Sequence, residues 1–494
     1  MRVFLAVICL AAVLHAADTD KRLIDAVKNG NRESVRVLLK EKAPVNAREA
    51  DGTTALHWAA RANDMETAQL LIRAGADAKA SDRYGITPVS LAAEVGDTAM
   101  IEALVKAGAD VNVAQPNGET VLMTAARTGK PDALKVLLSH GANVNARENQ
   151  FGETALMWAA AENNAEAIRV LVAAGADKNA RSTLLNFPEF KFITSGMVTT
   201  ALPRGGWTSL MYAARQGSID AAAALAEVGA DKDLADPEGS TALILAVINA
   251  HFDLAEVLLE KGADPNIADS TGMTALYAAV DMHTLGPMLS RPGPKVTDKL
   301  DAADLVGKLL DHDANSNVRL KRPIIGRHHD SGDAAMGEGT TPLIRATKNV
   351  DTPVIKLLLE GGADPSIPQK DYSTAMMVAI RAAASSEANT IEALKLFLDH
   401  GADVDAFNAA GQTALHIAAG RGTDDVIRFL ASRGATLNLK DKQGRTPLEN
   451  ASGVGGGAGG RGGPGGGGAR GGGGPAVSRE STVALLQQLL AQAK

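Results

Sequence analysis

Apolar residues along this chain fall into short runs at helical spacing, and the runs come in pairs. The stretch Asp51 to Asp77 is typical. Leu56, Ala59 and Ala60 lie on one narrow face of a short helix, and Ala68, Leu71 and Ile72 on the face of a second. Gly52-Thr53-Thr54 reads as a turn followed by a helix start. Glycine supplies the positive φ the turn wants, and the threonine hydroxyl can cap the first N–H groups of the helix. Gly75 is a suitable residue to end the second helix. One such helical hairpin cannot bury its apolar face alone, so the pattern predicts stacked copies.

Those copies are present. The turn recurs as Gly85-Ile86-Thr87, Gly118-Glu119-Thr120, Gly152-Glu153-Thr154, Gly206-Trp207-Thr208, Gly239-Ser240-Thr241 and Gly272-Met273-Thr274. Further on come Gly339-Thr340-Thr341, Tyr372-Ser373-Thr374, Gly411-Gln412-Thr413 and Gly444-Arg445-Thr446. Successive steps are 33, 33, 34, 54, 33, 33, 67, 33, 39 and 33 residues, a period that marks a repeat array. With Thr54-Ala55-Leu56-His57, Thr341-Pro342-Leu343, Thr413-Ala414-Leu415-His416 and the tail Gly108-Ala109-Asp110-Val111-Asn112, the chain resembles the ankyrin-repeat family. The resemblance covers about nine-tenths of the chain and implies an all-α solenoid of about twelve helix-turn-helix repeats with short β-hairpin-like fingers. It also implies that His57 and His416 bond the backbone of neighbouring turns. Variable fingertips before each turn glycine are the family's usual contact points, and Tyr84 and Phe151 are the large ones here.

The expected array runs over residues 17–452, opening with a charged repeat at Asp20–Glu49 that caps the stack. Its period breaks at finger-edge inserts 181–204 and 318–338 and at a helix-turn insert 284–299. A smaller excess lies near Ala382–Glu387. Residues 453–475 are nearly all glycine and read as a flexible loop. Residues 476–494 then read as a capped amphipathic helix, with Ser481 near its start, that supplies the second half of the last repeat. Loop closure costs grow only logarithmically, so a long loop is tolerable.

Composition adds a compartment. Arg2, the apolar run Val3 to Leu14 and the exit His15-Ala16-Ala17 read as a secretory signal peptide over residues 1–16. The predicted location is exported, periplasmic or secreted. The chain's one cysteine, Cys9, lies inside that segment, so the mature chain would carry no disulfide and no thiol catalysis. Without Arg2, 49 basic residues face 57 acidic ones, both signs interspersed. Neither a nucleic-acid partner nor membrane insertion after signal removal is expected, and the chain is expected to be a monomer.

Candidate chemistry is sparse. Phosphate-binding, dinucleotide, zinc-protease and nucleophile-elbow motifs are absent from the sequence. His140, His312 and His400 share one repeat position before the glycine corner and are read as scaffold. The tryptophans Trp58, Trp158 and Trp207 fall at or near the first helix of a repeat; they are read as packing residues that also make contacts if they face the groove. In the insert at 318–338, Arg327, His328, His329 and Asp330 suggest a solvated loop, a polar contact loop or a metal site. Adjacent side chains in an extended loop point apart, which argues against joint chelation. Phe187, Phe190 and Phe192 either fold over the solenoid flank or stand out as an apolar anchor. Arg461 and Arg470 in the glycine run are read as linker residues. The sequence therefore predicts a non-catalytic protein-interaction scaffold, with no cofactor and no metal, whose contact residues are Tyr84, Phe151, Phe187, Phe190, Phe192, Arg327, His328 and His329. The alternative is a metal-binding or enzymatic protein using Arg327–Asp333.

Overall fold

A computed structural model describes residues 20–184, 205–285, 297–324, 337–382, 386–453 and 479–493, together with the strand positions 192–194 and 197–199. Its helices are short and come in pairs, as the periodicity predicts. The chain divides into two units, Met1–Leu185 with Arg204–Leu234, and Asn186–Pro203 with Ala235–Lys494.

In the first unit the pairs are α1 (Arg22–Lys28) and α2 (Arg32–Lys40), α3 (Ala55–Arg61) and α4 (Met65–Arg73), and α5 (Pro88–Val95) and α6 (Thr98–Lys106). They continue with α7 (Val121–Arg127) and α8 (Pro131–Ser139), α9 (Ala155–Ala161) and α10 (Ala165–Ala173), and α11 (Ser209–Gln216) and α12 (Ile219–Glu227). Helices this short are unstable alone, so caps and packing must hold them. From α3 on, each first helix of this unit begins at an extended threonine. Thr87 Oγ1, for example, accepts the Ser90 N–H at 3.3 Å. The second helices α2, α4 and α6 are capped by Asn31, Asp64 and Asp97: Asp97 Oδ1 accepts the Met100 N–H at 2.7 Å. Each such cap contributes about 1 kcal/mol.

Small residues bring the first helices close. Ala59, Ala60, Ala92, Ala93, Ala125, Ala126, Ala159 and Ala160 are fully buried, and the leucine column Leu71, Leu104, Leu137 and Leu171 seals the second helices against them. Asparagines then tie each repeat to the next. Asn112 Nδ2 donates to the Gly141 carbonyl at 3.0 Å while its Oδ1 accepts the Asn143 N–H at 2.8 Å. Asn46 and Asn145 make the same two bonds to the next corner, and Asn179 Oδ1 accepts the Asp231 N–H at 2.9 Å. Fingers join through single backbone bonds, such as Asn149 N–H to the Asn117 carbonyl at 2.8 Å.

The second unit contains the two-stranded hairpin β1 (Phe192–Thr194) and β2 (Met197–Thr199), antiparallel with Ile193 opposite Val198. Its helix pairs are α13 (Ala242–Ile248) and α14 (Phe252–Glu260), α15 (Ala275–Leu285) and α16 (Ala302–Asp311), and α17 (Pro342–Thr347) and α18 (Thr352–Glu360). After these come α19 (Ala375–Arg381) and α20 (Glu387–Asp399), α21 (Ala414–Arg421) and α22 (Asp424–Ser432), and α23 (Pro447–Ser452) and α24 (Glu480–Gln492). The described residues thus hold twelve helix pairs, matching the expected all-α repeat solenoid. Finger-like bridges close the turns, among them Arg48 to Thr54 in the first unit and Phe407 to Thr413 in the second.

Two boundaries differ from the sequence reading. Helix α15 continues to Leu285, two residues into the expected insert, because Thr284 back-bonds to the Val280 carbonyl at 2.6 Å and the helix stops only beside Gly286-Pro287. Helix α24 starts at Glu480 with Arg479 at its N-cap position and no side-chain cap, so Ser481 does not cap it. What anchors α24 instead is packing: Leu485 and Leu486 are buried, and Thr482 Oγ1 donates to Asp424 Oδ1 at 2.5 Å. No helix among the described residues is long and apolar enough to cross a membrane.

Candidate functional site

The residue four places after each capping threonine, and the one seven places after, share the outward edge of the first helix. In the first unit these positions carry Trp58 and Arg61, Leu91 and Glu94, Thr124 and Arg127, Trp158 and Ala161, and Tyr212 and Arg215. Trp58 and Trp158 are half-buried although the residues on either side of them are buried, and Arg61, Arg127 and Arg215 are exposed.

The Trp58 and Trp158 indoles are each held by an acid beneath and a cation above. Trp58 Nε1 donates to Glu49 Oε2 at 2.7 Å, while Lys28 Nζ and the Arg61 guanidinium lie 4.5 and 5.8 Å from its ring centre. Glu49 also pairs with Lys28 at 3.0 Å. Trp158 Nε1 donates to Glu153 Oε2 at 2.9 Å under Arg127 at 5.8 Å. Glu119 accepts the Thr124 hydroxyl at 2.9 Å and faces Arg127 at 3.8 Å. Trp207 meets Tyr212 edge-on at 5.6 Å, with Arg215 over it at 5.1 Å. Burial, together with the Glu153 carboxylate, pushes the Tyr212 phenol up, so it stays a neutral hydroxyl. Such cation–ring contacts hold the rings in defined orientations.

Beside this row stand the fingertips. Tyr84 is 55% exposed, and the Arg83 guanidinium stacks 4.7 Å from its ring. Its backbone is fixed because Asp82 Oδ1 accepts the N–H groups of Tyr84 and Ile86, both at 2.8 Å. Glu148 does the same for Phe151 and Glu153, at 2.5 and 3.0 Å, leaving Phe151 39% exposed. Tyr84 and Phe151 therefore sit two repeats apart on one edge, aimed outward by rigid turns.

The histidines of the helix-start motif are scaffold. His57 Nδ1 accepts the Thr54 N–H at 3.2 Å and its Nε2 bonds the Ile86 carbonyl of the next finger at 3.0 Å. His416 repeats this with Thr413 and the Arg445 carbonyl. Burial lowers the pKa of both, which favours the neutral tautomer those bonds need. His400 Nδ1 bonds the Leu396 carbonyl at 2.8 Å, and His140 and His312 end helices.

Helices α13, α15 and α17 of the second unit present a different face. Every residue of α13 is buried, as are Pro342 through Thr347 of α17. Where the first unit exposes Arg127, the second buries Asp281 and Arg345, paired Nε to Oδ1 at 2.5 Å with 4% and 0% side-chain exposure. Next to them His283 Nδ1 meets Asp351 Oδ2 at 2.6 Å, a bond that raises the imidazole pKa. The sequence reading missed both pairs, whose partners are 64 and 68 residues apart. It also missed the two most exposed aromatics among the described residues, Tyr372 at 61% and Phe407 at 67%. Tyr372 replaces the turn glycine itself, at φ +61°, and Phe407 sits on the finger's incoming edge, so a search of the residue before each glycine passes over both.

Phe187, Phe190, Arg327, His328 and His329 lie outside the described residues. Phe192 falls in β1, but its side chain lies outside them too. Among the described residues no cluster of three or more His, Cys, Asp and Glu is arranged to hold a metal ion.

A family model for ankyrin repeats in three copies matches residues 23–115, 90–182, 190–269, 210–286, 301–408 and 381–455. Among curated proteins, the chain is 38% identical over 111 residues to the B-cell lymphoma 3 protein homolog of Mus musculus, covering 22% of this chain and 24% of that protein. It is 33% identical over 114 residues to the ankyrin repeat and SAM domain-containing protein 6 of Mus musculus, covering 23% of this chain and 11% of that protein. The chain thus spans a quarter or less of the length of these relatives.

Proposed function

The chain belongs to the ankyrin-repeat family, and on that premise we propose that it is a non-catalytic scaffold that holds a partner protein against the first-helix face and fingers of its first unit. Ankyrin repeats generally mediate contacts between proteins. The observation that carries this reading is the outward row Trp58, Arg61, Arg127 and Trp158 beside Tyr84 and Phe151. It combines aromatic and arginine side chains, the types that dominate binding energy at protein interfaces. Their turns and indoles are already fixed by internal bonds, so little ordering entropy is lost on docking.

We place this scaffold outside the cytosol, on the strength of Arg2, the apolar run Val3–Leu14 and the small exit at Ala16-Ala17. Sequencing the mature N-terminus tests that placement. A chain starting at Ala17 supports it, and a cytosolic chain that keeps Met1–Ala16 contradicts it.

The binding face is tested by crosslinking in the native compartment with wild type and a Tyr84→Ala/Phe151→Ala double variant. Two hot-spot aromatics at about 2 kcal/mol each predict a loss of adducts of well over tenfold. Unchanged adducts would remove this face from the account.

A further inference from the structure

Most of the charged side chains at the outward edge of this face are cations, although the chain as a whole is acidic. The whole chain carries a formal net charge of −7. On the first-helix face of the first unit, the positions seven after each N-cap residue hold Lys28, Arg61, Glu94, Arg127, Ala161 and Arg215. Four of those six are cations and one is an acid.

The remaining acids of the face are turned inward. Glu49, Glu119 and Glu153 are half-buried beneath the cations and accept an indole N–H or a hydroxyl. Asp51, Asp82 and Glu148 are half-buried or buried and accept the backbone N–H groups of their own turns. Arg61, Arg83 and Arg127 are all exposed, each lying over an aromatic ring. The outermost layer of the face is therefore cationic and aromatic, over a layer of committed carboxylates.

We propose that the occupant of this face is an acidic segment of a partner protein, its carboxylates meeting Lys28, Arg61, Arg83 and Arg127 and its apolar side chains meeting Tyr84 and Phe151. This deepens the scaffold reading above and rests on it. Charge complementarity of this kind sets specificity and association rate. Single-stranded nucleic acid would also seek cations and rings, but it needs open ring faces for stacking. Trp58 has Lys28 and Arg61 over its ring at 4.5 and 5.8 Å, and Trp158 has Arg127 at 5.8 Å, so cations already occupy those faces.

The test places a photo-crosslinking phenylalanine analogue at Tyr84 or at Phe151 of the full chain, in cells that produce it, and sequences the attached segment. It is repeated with Arg61→Glu/Arg127→Glu, with the charge-keeping Arg61→Lys/Arg127→Lys, and with Lys106→Glu/Lys135→Glu on the second helices. The proposal expects attached segments in which acids outnumber bases. It also expects at least a tenfold fall in adduct with the glutamate pair at 61 and 127, a clearly smaller fall with the lysine pair, and a yield within about twofold for Lys106→Glu/Lys135→Glu. Thermal melts of all variants within the wild-type range establish that none fails by unfolding. Neutral or basic segments, or unchanged yields with Arg61→Glu/Arg127→Glu, overturn the acidic-partner inference and leave the scaffold standing. Nucleic-acid adducts, or no protein adduct at either position, overturn both.

Discussion

The two units are built by the same rules and differ in what they do with one helix face. Thr120 and Thr241 cap their helices alike, at 3.3 Å to the N–H three residues on. Beyond the cap, the first unit places Thr124 and Arg127, or Trp158 and Ala161, on the outward edge. At the same positions helices α13, α15 and α17 of the second place Leu245 and Ile248, then Ala278 and Asp281, then Arg345, while α19 further on exposes Arg381 again. The first set leaves Arg127 exposed and Trp158 half-buried, whereas all five residues of α13, α15 and α17 are buried. The repeat grammar settles how the helices stack, and two positions per repeat decide whether a face is open to partners or closed.

Breaking the buried pair should have the largest effect. Arg345→Ala removes the guanidinium paired with the Asp281 carboxylate, which is 4% exposed, and should destabilise the second unit by about 3–5 kcal/mol. Arg127→Ala on the open face of the first unit should cost less than about 1 kcal/mol. Urea unfolding with hydrogen-exchange mapping measures both, and equal costs would erase the contrast.

Glycine positions come next. Gly85 has φ +80°, and a Cβ there would stand 2.7 Å from Pro116 Cδ, so Gly85→Ala should cost about 1–3 kcal/mol by thermal melting. The second unit carries that strain already at Tyr372, φ +61°. Tyr372→Gly should therefore stabilise it, by about 1 kcal/mol. A loss of stability would mean that the exposed ring makes a contact worth more than the backbone strain.

Protonation separates individual sites with a smaller effect. His283 has a raised pKa because Asp351 accepts its proton, so the folded state binds that proton more tightly than the unfolded state. The stability this adds is fully present below the unfolded imidazole value of about 6.5 and fades as pH rises through the folded value. His57 behaves oppositely. Burial lowers its pKa, so its contribution is kept above about 6.5 and lost as pH falls below that value. Melting wild type and His283→Gln across pH 5.5 to 8.5 should show the variant's deficit shrinking towards alkaline pH; a constant deficit would contradict the ion pair.

What the sequence revealed follows the range of the interaction. The turn Gly52-Thr53-Thr54, the paired amphipathic runs and the role of His57 depend on neighbours within one period, so repetition exposed them. The exposed tips Tyr84 and Phe151 were legible because their turns are local. Asn112 was visible as part of a motif, but its bond to Gly141 needs the next repeat in register. His283 with Asp351, and Asp281 with Arg345, cross an irregular stretch whose length breaks the count from one repeat to the next. The indole N–H of Trp158 on Glu153 spans five residues, yet periodicity cannot tell a half-open ring from a closed one at that position. Chemistry at the inserts, including Arg327, His328 and His329, lies outside the described residues.

The central claim is that the first unit carries the open binding face. Hydroxyl-radical footprinting, comparing the purified chain with the chain in its native compartment, tests it without naming the partner. The account predicts that oxidation of Trp58, Tyr84, Phe151 and Trp158 falls severalfold in the native setting while Tyr372 and Phe407 keep their rates. Protection of Tyr372 and Phe407 with the first unit unchanged would contradict it.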